Sequence, residues 1–161
     1  MLMDTIITQD RGLFESLFGR QEKASIVCYT DCMKNHYKVL YQEAYAVSKV
    51  RKLSRLASCG GVGSALLTKE GNIYTGLCID ATCGIGFCAE HSAIAEMLKH
   101  NESEIKEIIA VTDKKKVLPP CGRCRELIFD INPKNQNALV HLSATRSKSI
   151  KILLPDPWGV G

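Results

Sequence analysis

The chain has 161 residues, of which 45% are hydrophobic and 24% are charged, an ordinary composition for one globular domain or two at most. Its formal net charge of +4 makes nucleic acid an unlikely partner, because proteins that track a nucleic-acid groove concentrate far more Lys and Arg. No segment reaches the roughly 20 apolar residues of a membrane span, and the first ten residues lack the apolar core of a signal peptide. We therefore expect a cytoplasmic protein that does not contact membranes.

The first third of the chain is predicted to be helical. Apolar residues recur every three or four positions from Met33 to Leu56, with Lys and Arg between them, as in an amphipathic helix with one face in water. The sequence SCGG at residues 58–61 ends this pattern. We predict an N-terminal extension of unassigned role over residues 1–32 and a single domain over residues 33–161.

A β-hairpin is predicted next, with strands at 62–68 and 72–79 flanking the turn sequence KEG. Beyond it the sequence predicts a helix that begins near Cys88 and a strand over 105–113. A second helix is predicted from Cys121, directly after Pro120, and a last strand over 137–143. This alternation predicts an α/β fold in which helices cover a small mixed sheet.

Three of the eight cysteines lie at the predicted helix starts. Cys88 stands two residues before Glu90 in CAE, and Cys121 and Cys124 are three apart in PPCGRC. Helix starts favour thiolates, and one helical turn brings the sulfurs of Cys121 and Cys124 together. With Cys88 they would give Zn²⁺ three ligands and leave a fourth position open, as in catalytic zinc sites. Glu90 would then act as a general acid and base beside the metal.

Two alternatives stay open for these cysteines: a structural zinc closed by Cys83 or His91, or three buried thiols without a metal. The spacing C-x-E…P-C-x-x-C favours the catalytic interpretation, because it is the signature of zinc deaminases. A second metal on Cys28, Cys32 and His36 is a further, weaker possibility. The cysteines outside the signature are expected to be small buried hydrophobes: Cys28, Cys32, Cys59, Cys78 and Cys83.

The chain resembles the cytidine deaminase family from about residue 40 onward, and within it the branch that acts on blasticidin S. The stretches that carry the resemblance are VGSALLTKEGNIYTG, CAEHSAIAE, PPCGRCRELIFDINP and a terminal LLP followed by an aromatic residue. The resemblance implies a three-layer α/β/α sandwich around a five-stranded mixed sheet, assembled as a homotetramer. It also implies one Zn²⁺ per chain on Cys88, Cys121 and Cys124, with Glu90 as the proton shuttle. The implied reaction converts the 4-amino group of a cytosine-type nucleoside to the uracil form and releases ammonia.

Arg123, inside the C-x-x-C, occupies a position where the blasticidin-type enzymes also have arginine. Family members often have Arg directly after the CAE glutamate, where this chain has His91. The resemblance therefore implies that Arg123 offsets the negative charge of the thiolates in its place. The alternative for Arg123 is an ordinary surface arginine.

The substrate-binding positions depart from the family pattern. Cys78 and Asp80 stand where nucleoside deaminases have an Asn-x-Glu pair for the ribose, and Gly60 stands where they have a base-stacking aromatic residue. Asp80 can still accept a hydroxyl hydrogen bond, whereas a thiol cannot replace an amide. Trp158 is a candidate aromatic wall, reaching a neighbouring subunit's site, or else a core or interface anchor. Ordinary cytidine is therefore expected to be a poor substrate unless other residues compensate.

Two other functions compete with deamination of a free nucleoside. The same chemistry could act on a base within RNA or DNA, but that would require a basic stripe and stacking aromatic residues, and aromatics make up 6% of the chain. The protein could instead be a non-catalytic binding module stabilised by zinc. Glu90 argues against that, because an inert module does not need a carboxylate beside its metal.

Overall fold

The computed structural model describes residues 35–159, and Tyr37–Gly161 form one compact unit. The predictions for residues 1–32, including the domain boundary and the metal ligands Cys28 and Cys32, lie outside the described residues. None of the described helices combines the length and the apolar character required to cross a bilayer.

The elements alternate between strands and helices, as the sequence predicts. The helices are α1 (residues 35–47), α2 (Ala89–Lys99), α3 (Gly122–Ile131) and α4 (Ile150–Leu153), with a 3₁₀ helix at Pro133–Asn137. The strands are β1 (Arg51–Lys52), β2 (Ala57–Thr68), β3 (Ile73–Ala81), β4 (Ile105–Thr112), β5 (Val117–Leu118), β6 (Leu139–Ser143) and β7 (Arg146–Ser149).

The sheet is mixed and is built on five longer strands in the order β3-β2-β4-β6-β7. Only the β4–β6 pairing is parallel; the others are antiparallel. The two-residue strands β1 and β5 extend the edges of β2 and β4. The described sheet therefore has seven strands, against five in the sequence-based expectation.

Hydrophobic clusters cover both faces of this sheet. Successive residues of a strand point to opposite faces, so in β4 Ile108 packs with α2 and α3, whereas Ile109 and Val111 pack with α1. On the α2 and α3 side the fully buried residues include Leu66, Ala93, Met97, Ile128 and Val140; on the α1 side they include Leu40, Ala44 and Ala65. The predicted three-layer α/β/α sandwich is confirmed.

The prediction of one helix as far as Leu56 is wrong. Helix α1 ends at residue 47, and residues 51–52 pair with β2. The apolar residues that continued the helical spacing are exposed, at 59% for Val50, 57% for Leu53 and 56% for Leu56. Their periodicity therefore does not mark a buried face.

A close approach of the chain to β2 explains where α1 ends. Gly60 has φ +84°, and a Cβ there would lie 2.1 Å from the carbonyl oxygen of Lys49. The N–H of Gly61 donates to the carbonyl of Ser48 at 2.7 Å. Because Ser48 and Lys49 pack directly on the two glycines, the backbone leaves the helical path before residue 50.

Candidate functional site

The three cysteines of the signature meet at the starts of two helices. Cys88 is the N-cap residue of α2, Cys121 is the N-cap residue of α3, and Cys124 lies in the first turn of α3. The Sγ atoms of Cys88 and Cys121 are 3.7 Å apart, and those of Cys121 and Cys124 are 3.4 Å apart. All three sulfurs lie within 4.8 Å of one another. The predicted convergence of the sulfurs is therefore present.

Helix α2 is held against the sheet by a glycine in β3. A Cβ on Gly76 would lie 2.2 Å from the backbone nitrogen of Ala93 and 2.5 Å from the carbonyl oxygen of Ala89. Only a glycine allows the helix backbone to approach the strand this closely. The approach fixes the start of α2, and with it Cys88.

The start of α3 is fixed by an arginine that sequence analysis did not single out. The Nε of Arg125 donates to the carbonyl of Pro120 at 2.9 Å, and its Nη1 donates to the carbonyl of Leu153 at 3.0 Å. Both bonds are charge-assisted. They tie the residue before Cys121 to the end of α4, which limits movement of the cysteine pair.

The three thiols differ in their environments. Burial raises the pKa of the buried Cys124, and the charge of Glu90 raises it further. Burial also raises the pKa of Cys88. Burial acts in the same direction on Cys121, but hydrogen bonds from Cys124 and Cys88 outweigh it and leave the pKa of Cys121 lowered. Before any metal binds, Cys121 is thus the member of the cluster most ready to become a thiolate.

The cluster fits a zinc ion. Zinc–thiolate bonds of about 2.3 Å at tetrahedral angles would place the sulfurs about 3.8 Å apart, close to the separations of 3.7 and 3.4 Å. Thiolates are soft donors of the kind that zinc prefers. In the part of the chain that the structure describes, neither Cys83 nor His91 joins the three sulfurs as a fourth donor.

Glu90 lies beside the cluster in the first turn of α2 and is 5% exposed. Burial raises the pKa of its carboxyl group, although hydrogen bonds to its own backbone and to Cys124 lower it in part. A carboxyl group with a raised pKa holds its proton more firmly than an exposed one, which suits a general acid and base.

A pocket of about 780 Å³ opens onto the cluster, a volume typical of small-molecule sites. It brings together most of the residues that the sequence singled out. Its lining includes Cys88, Cys121, Glu90, Arg123, Cys78, Asp80 and Gly60.

The pocket residues outside the cluster have varied surroundings. Cys78 is partly buried, and its Sγ donates to the carbonyl of Gly60 at 2.7 Å. The thiol hydrogen therefore bonds within the protein and not to a ligand. Asp80 and Arg123 are exposed. His91, next to Glu90, has its pKa lowered by burial and then by the charge of Arg123.

Trp158 is not among the described residues that line this pocket. Its side chain is 84% exposed, and its backbone N–H donates to Oε1 of Glu126 at 2.6 Å.

Among the other cysteines, Cys59 is buried as predicted. The prediction is wrong for Cys83, which is exposed in the loop between β3 and α2.

Sequence analysis also missed Phe87, which lines the pocket immediately before Cys88. An exposed aromatic ring in a pocket depends on how a loop folds back, which no local periodicity records.

A second feature that the sequence did not indicate is a buried pair formed by His141 on β6 and Glu107 on β4. The Nε2 atom of His141 lies 2.8 Å from the Oε2 atom of Glu107.

Several solved structures with this architecture are cytidine deaminases. The structure of cytidine deaminase from Mycobacterium tuberculosis superposes with a TM-score of 0.65 at 25% identity, over 77% of this chain and 98% of that one. The structure from Burkholderia pseudomallei gives a TM-score of 0.60 at 26% identity, over 75% and 98%. The α/β/α sandwich with its cysteine cluster thus has the cytidine deaminase fold.

Sequence comparison agrees with the fold. Residues 35–139 match the family profile described as the cytidine and deoxycytidylate deaminase zinc-binding region, and the chain belongs to this family. It is 36% identical over 73 residues to a cytidine deaminase of Halalkalibacterium halodurans, covering 45% of this chain and 55% of that protein. It is 37% identical over 81 residues to a blasticidin-S deaminase of Bacillus cereus, covering 45% and 58%. The chain thus matches a little over half the length of these curated relatives.

Proposed function

We propose that the protein is a zinc-dependent hydrolase that removes the 4-amino group of a cytosine-type nucleoside, such as cytidine, deoxycytidine or a nucleoside antibiotic like blasticidin S, and releases ammonia. The observation that carries the proposal is the buried carboxyl group of Glu90 beside three converging sulfurs in one pocket. Membership of the deaminase family supports it.

In this proposal Cys88, Cys121 and Cys124 hold one Zn²⁺ per chain. The ion would supply a Lewis acid that makes water a nucleophile near neutral pH. Because three protein donors converge, the site keeps one position for a reactant, as catalytic zinc sites do. The starts of α2 and α3 place backbone N–H groups and the positive helix ends at the thiolates, which offsets part of their negative charge. Exposed Arg123 at the pocket wall would add a further positive charge.

Glu90 carries the protons. Its carboxylate accepts one proton from the attacking water and gives it to the ring nitrogen N3, which makes C4 more electrophilic. It then carries the second water proton to the departing amine. The C4–N bond breaks and a C4–O bond forms, so that one water proton ends on N3 and the other on ammonia. A buried carboxyl group with a raised pKa suits both transfers.

Asp80 is the proposed partner for a sugar hydroxyl, because it is exposed and lines the same pocket. Cys78 shapes the wall but has its thiol turned to Gly60. We also predict a cytoplasmic location, a homotetramer and a role for Trp158 at a neighbouring subunit's site.

Ammonia release tests the proposal. Purified protein is incubated with cytidine, deoxycytidine and blasticidin S, and ammonia and the loss of ultraviolet absorbance are followed, with bound zinc measured in the same preparation. Turnover of at least one compound is expected, with zinc near one ion per chain. Full zinc with no ammonia from any of these compounds would favour the non-catalytic binding module instead.

A further inference from the structure

Gly60, on the β2 wall of the pocket, cannot be replaced by an aromatic residue without a backbone clash. Gly60 has φ +84°, a conformation that residues with a Cβ rarely adopt. A Cβ there would also lie 2.1 Å from the backbone oxygen of Lys49, which is not free to move like a side-chain end. An aromatic ring that contacts a planar ligand in this pocket must therefore come from a position other than 60.

Phe87 lines the same pocket as Gly60. It is the one aromatic residue among the pocket-lining residues that the structure describes, and it is 37% exposed. Leaving part of a phenyl ring in water is unfavourable in proportion to the apolar surface that stays exposed. A ligand that covers the ring recovers this free energy.

The backbone holds Phe87 in a fixed position. Its N–H donates to the carbonyl of Ile79, and the N–H of Ile79 donates to the carbonyl of Phe87, both at 3.0 Å. The preceding residue, Gly86, permits this pairing, because a Cβ there would lie 2.1 Å from the carbonyl oxygen of Ile79. The next residue is Cys88. The backbone of Phe87 is thus paired with β3 and joined directly to Cys88 of the cysteine cluster.

We propose that Phe87 is the substrate-binding residue on which the pyrimidine ring stacks, and that it sets a preference for a flat six-membered base. The inference rests on the proposed function, since it takes the ligand to be a cytosine-type nucleoside. Aromatic side chains stack on bases through their π-faces. A base lying on Phe87 would have its ring in the pocket that Glu90, Cys88 and Cys121 also line.

Ile85 provides a matched control for Phe87. It lies two residues earlier in the same loop, is 79% exposed, and is not among the described residues that line the pocket. If exposed apolar side chains of this loop only contribute to stability or to association, replacing Ile85 and replacing Phe87 should have similar effects.

The first test measures zinc content, kcat and KM for the wild type and for Phe87→Leu, Phe87→Tyr and Ile85→Ala, with cytidine, deoxycytidine and blasticidin S. Loss of the ring in Phe87→Leu should raise KM about 5-fold to about 150-fold, the range of base–aromatic stacking, with zinc retained. Phe87→Tyr keeps the ring and should restore most of the affinity that Phe87→Leu loses, whereas the control Ile85→Ala should stay within about 3-fold of the wild type. An unchanged KM in Phe87→Leu would overturn the inference.

The second test uses the unmodified protein and does not depend on the folding of a variant. Calorimetry compares the Kd of uridine, whose base is flat, with that of 5,6-dihydrouridine, which keeps the ribose and the C4 carbonyl but has a puckered ring. Stacking predicts that uridine binds about 5-fold tighter or more. Equal Kd values would contradict stacking. If no nucleoside yields ammonia, the proposed function fails, and the two Kd values still decide whether a base stacks in this pocket.

Discussion

The sulfur atoms of Cys88 and Cys121 lie 3.7 Å apart, although 33 positions separate the two residues and each begins a different helix. Helix α2 packs on β3 and β2, and Arg125 ties the start of α3 to the end of α4. The contact between the sulfurs therefore depends on the whole α2–sheet–α3 arrangement. A metal bound there would join two elements that are distant in the chain.

Replacing Cys121 by alanine is expected to remove bound zinc and to lower stability. A ligand present at a hundred times its Kd contributes about 2.7 kcal/mol to the folded state, so a loss of about that size is expected when zinc no longer binds. Metal analysis and thermal unfolding measure both effects. Cys83→Ala is the matched control, because Cys83 is exposed and outside the cluster; it should keep its zinc. A Cys121→Ala variant with full zinc would show that the cluster does not hold the metal.

Replacing Glu90 by glutamine separates metal binding from proton transfer. Glutamine keeps the size of the side chain but cannot accept and return a proton, and general acid–base catalysis contributes about 10²–10⁴-fold. We expect kcat to fall by at least about 100-fold with zinc retained. The measurement is ammonia release beside metal content. Normal turnover in this variant would remove Glu90 from the mechanism.

Replacing Gly76 by alanine is expected to push α2 away from β3. The added Cβ would lie 2.2 Å from the backbone nitrogen of Ala93, and overpacking of this kind typically costs about 1–3 kcal/mol. Gly122→Ala is the control, since a Cβ at Gly122 meets nothing within 4 Å. Chemical denaturation of the two variants checks the difference. Equal stabilities would mean that the close approach of helix and strand is not required.

The stability that Tyr74 contributes should depend on pH. Its hydroxyl donates to Oε1 of Glu102 at 2.6 Å, and this bond, with burial and nearby acidic charge, raises the pKa of Tyr74 to about 12. The pKa of Glu102 is lowered by hydrogen bonds, first with Thr68 and then with Tyr74.

The direction of each shift fixes the pH range of the effect. A lowered pKa at Glu102 stabilises the fold above its ordinary value of 4.5, and this contribution is lost as the pH falls. A raised pKa at Tyr74 stabilises the fold below its ordinary value of 10.0, and this contribution is lost as the pH rises towards 12. The Tm difference between the wild type and Tyr74→Phe should thus be largest between pH 4.5 and 10.0. A difference independent of pH would contradict this.

The features that local chemistry determines could be predicted from the sequence. Cys121 and Cys124 converge because they share one helical turn, and Pro120 marks where that turn begins. The helix start at Cys88 and the strands β2, β3, β4 and β6 follow from periodicity and turn residues in the same way. The three-layer arrangement required the family resemblance as well, since no local signal orders the strands.

The errors arose where distant contacts override local patterns. The helical spacing through Leu53 and Leu56 continued past residue 47, but the chain there is held by Gly60 and Gly61 instead. Cys83 was expected to be buried for its residue type, yet the loop that contains it projects into solvent. Phe87 lines the pocket because its loop pairs with Ile79, a contact that no local pattern predicts. The four-residue elements β7 and α4 are too short to give a periodic signal.

We propose that three thiolates from two helix starts hold one zinc ion and leave a position open beside Glu90. The decisive experiment is a crystal structure of the purified protein, with diffraction recorded on both sides of the zinc absorption edge. We expect one anomalous peak about 2.3 Å from the Sγ atoms of Cys88, Cys121 and Cys124, with no fourth protein atom bound. A map without that peak, or with a side chain of the protein as the fourth ligand, would contradict it.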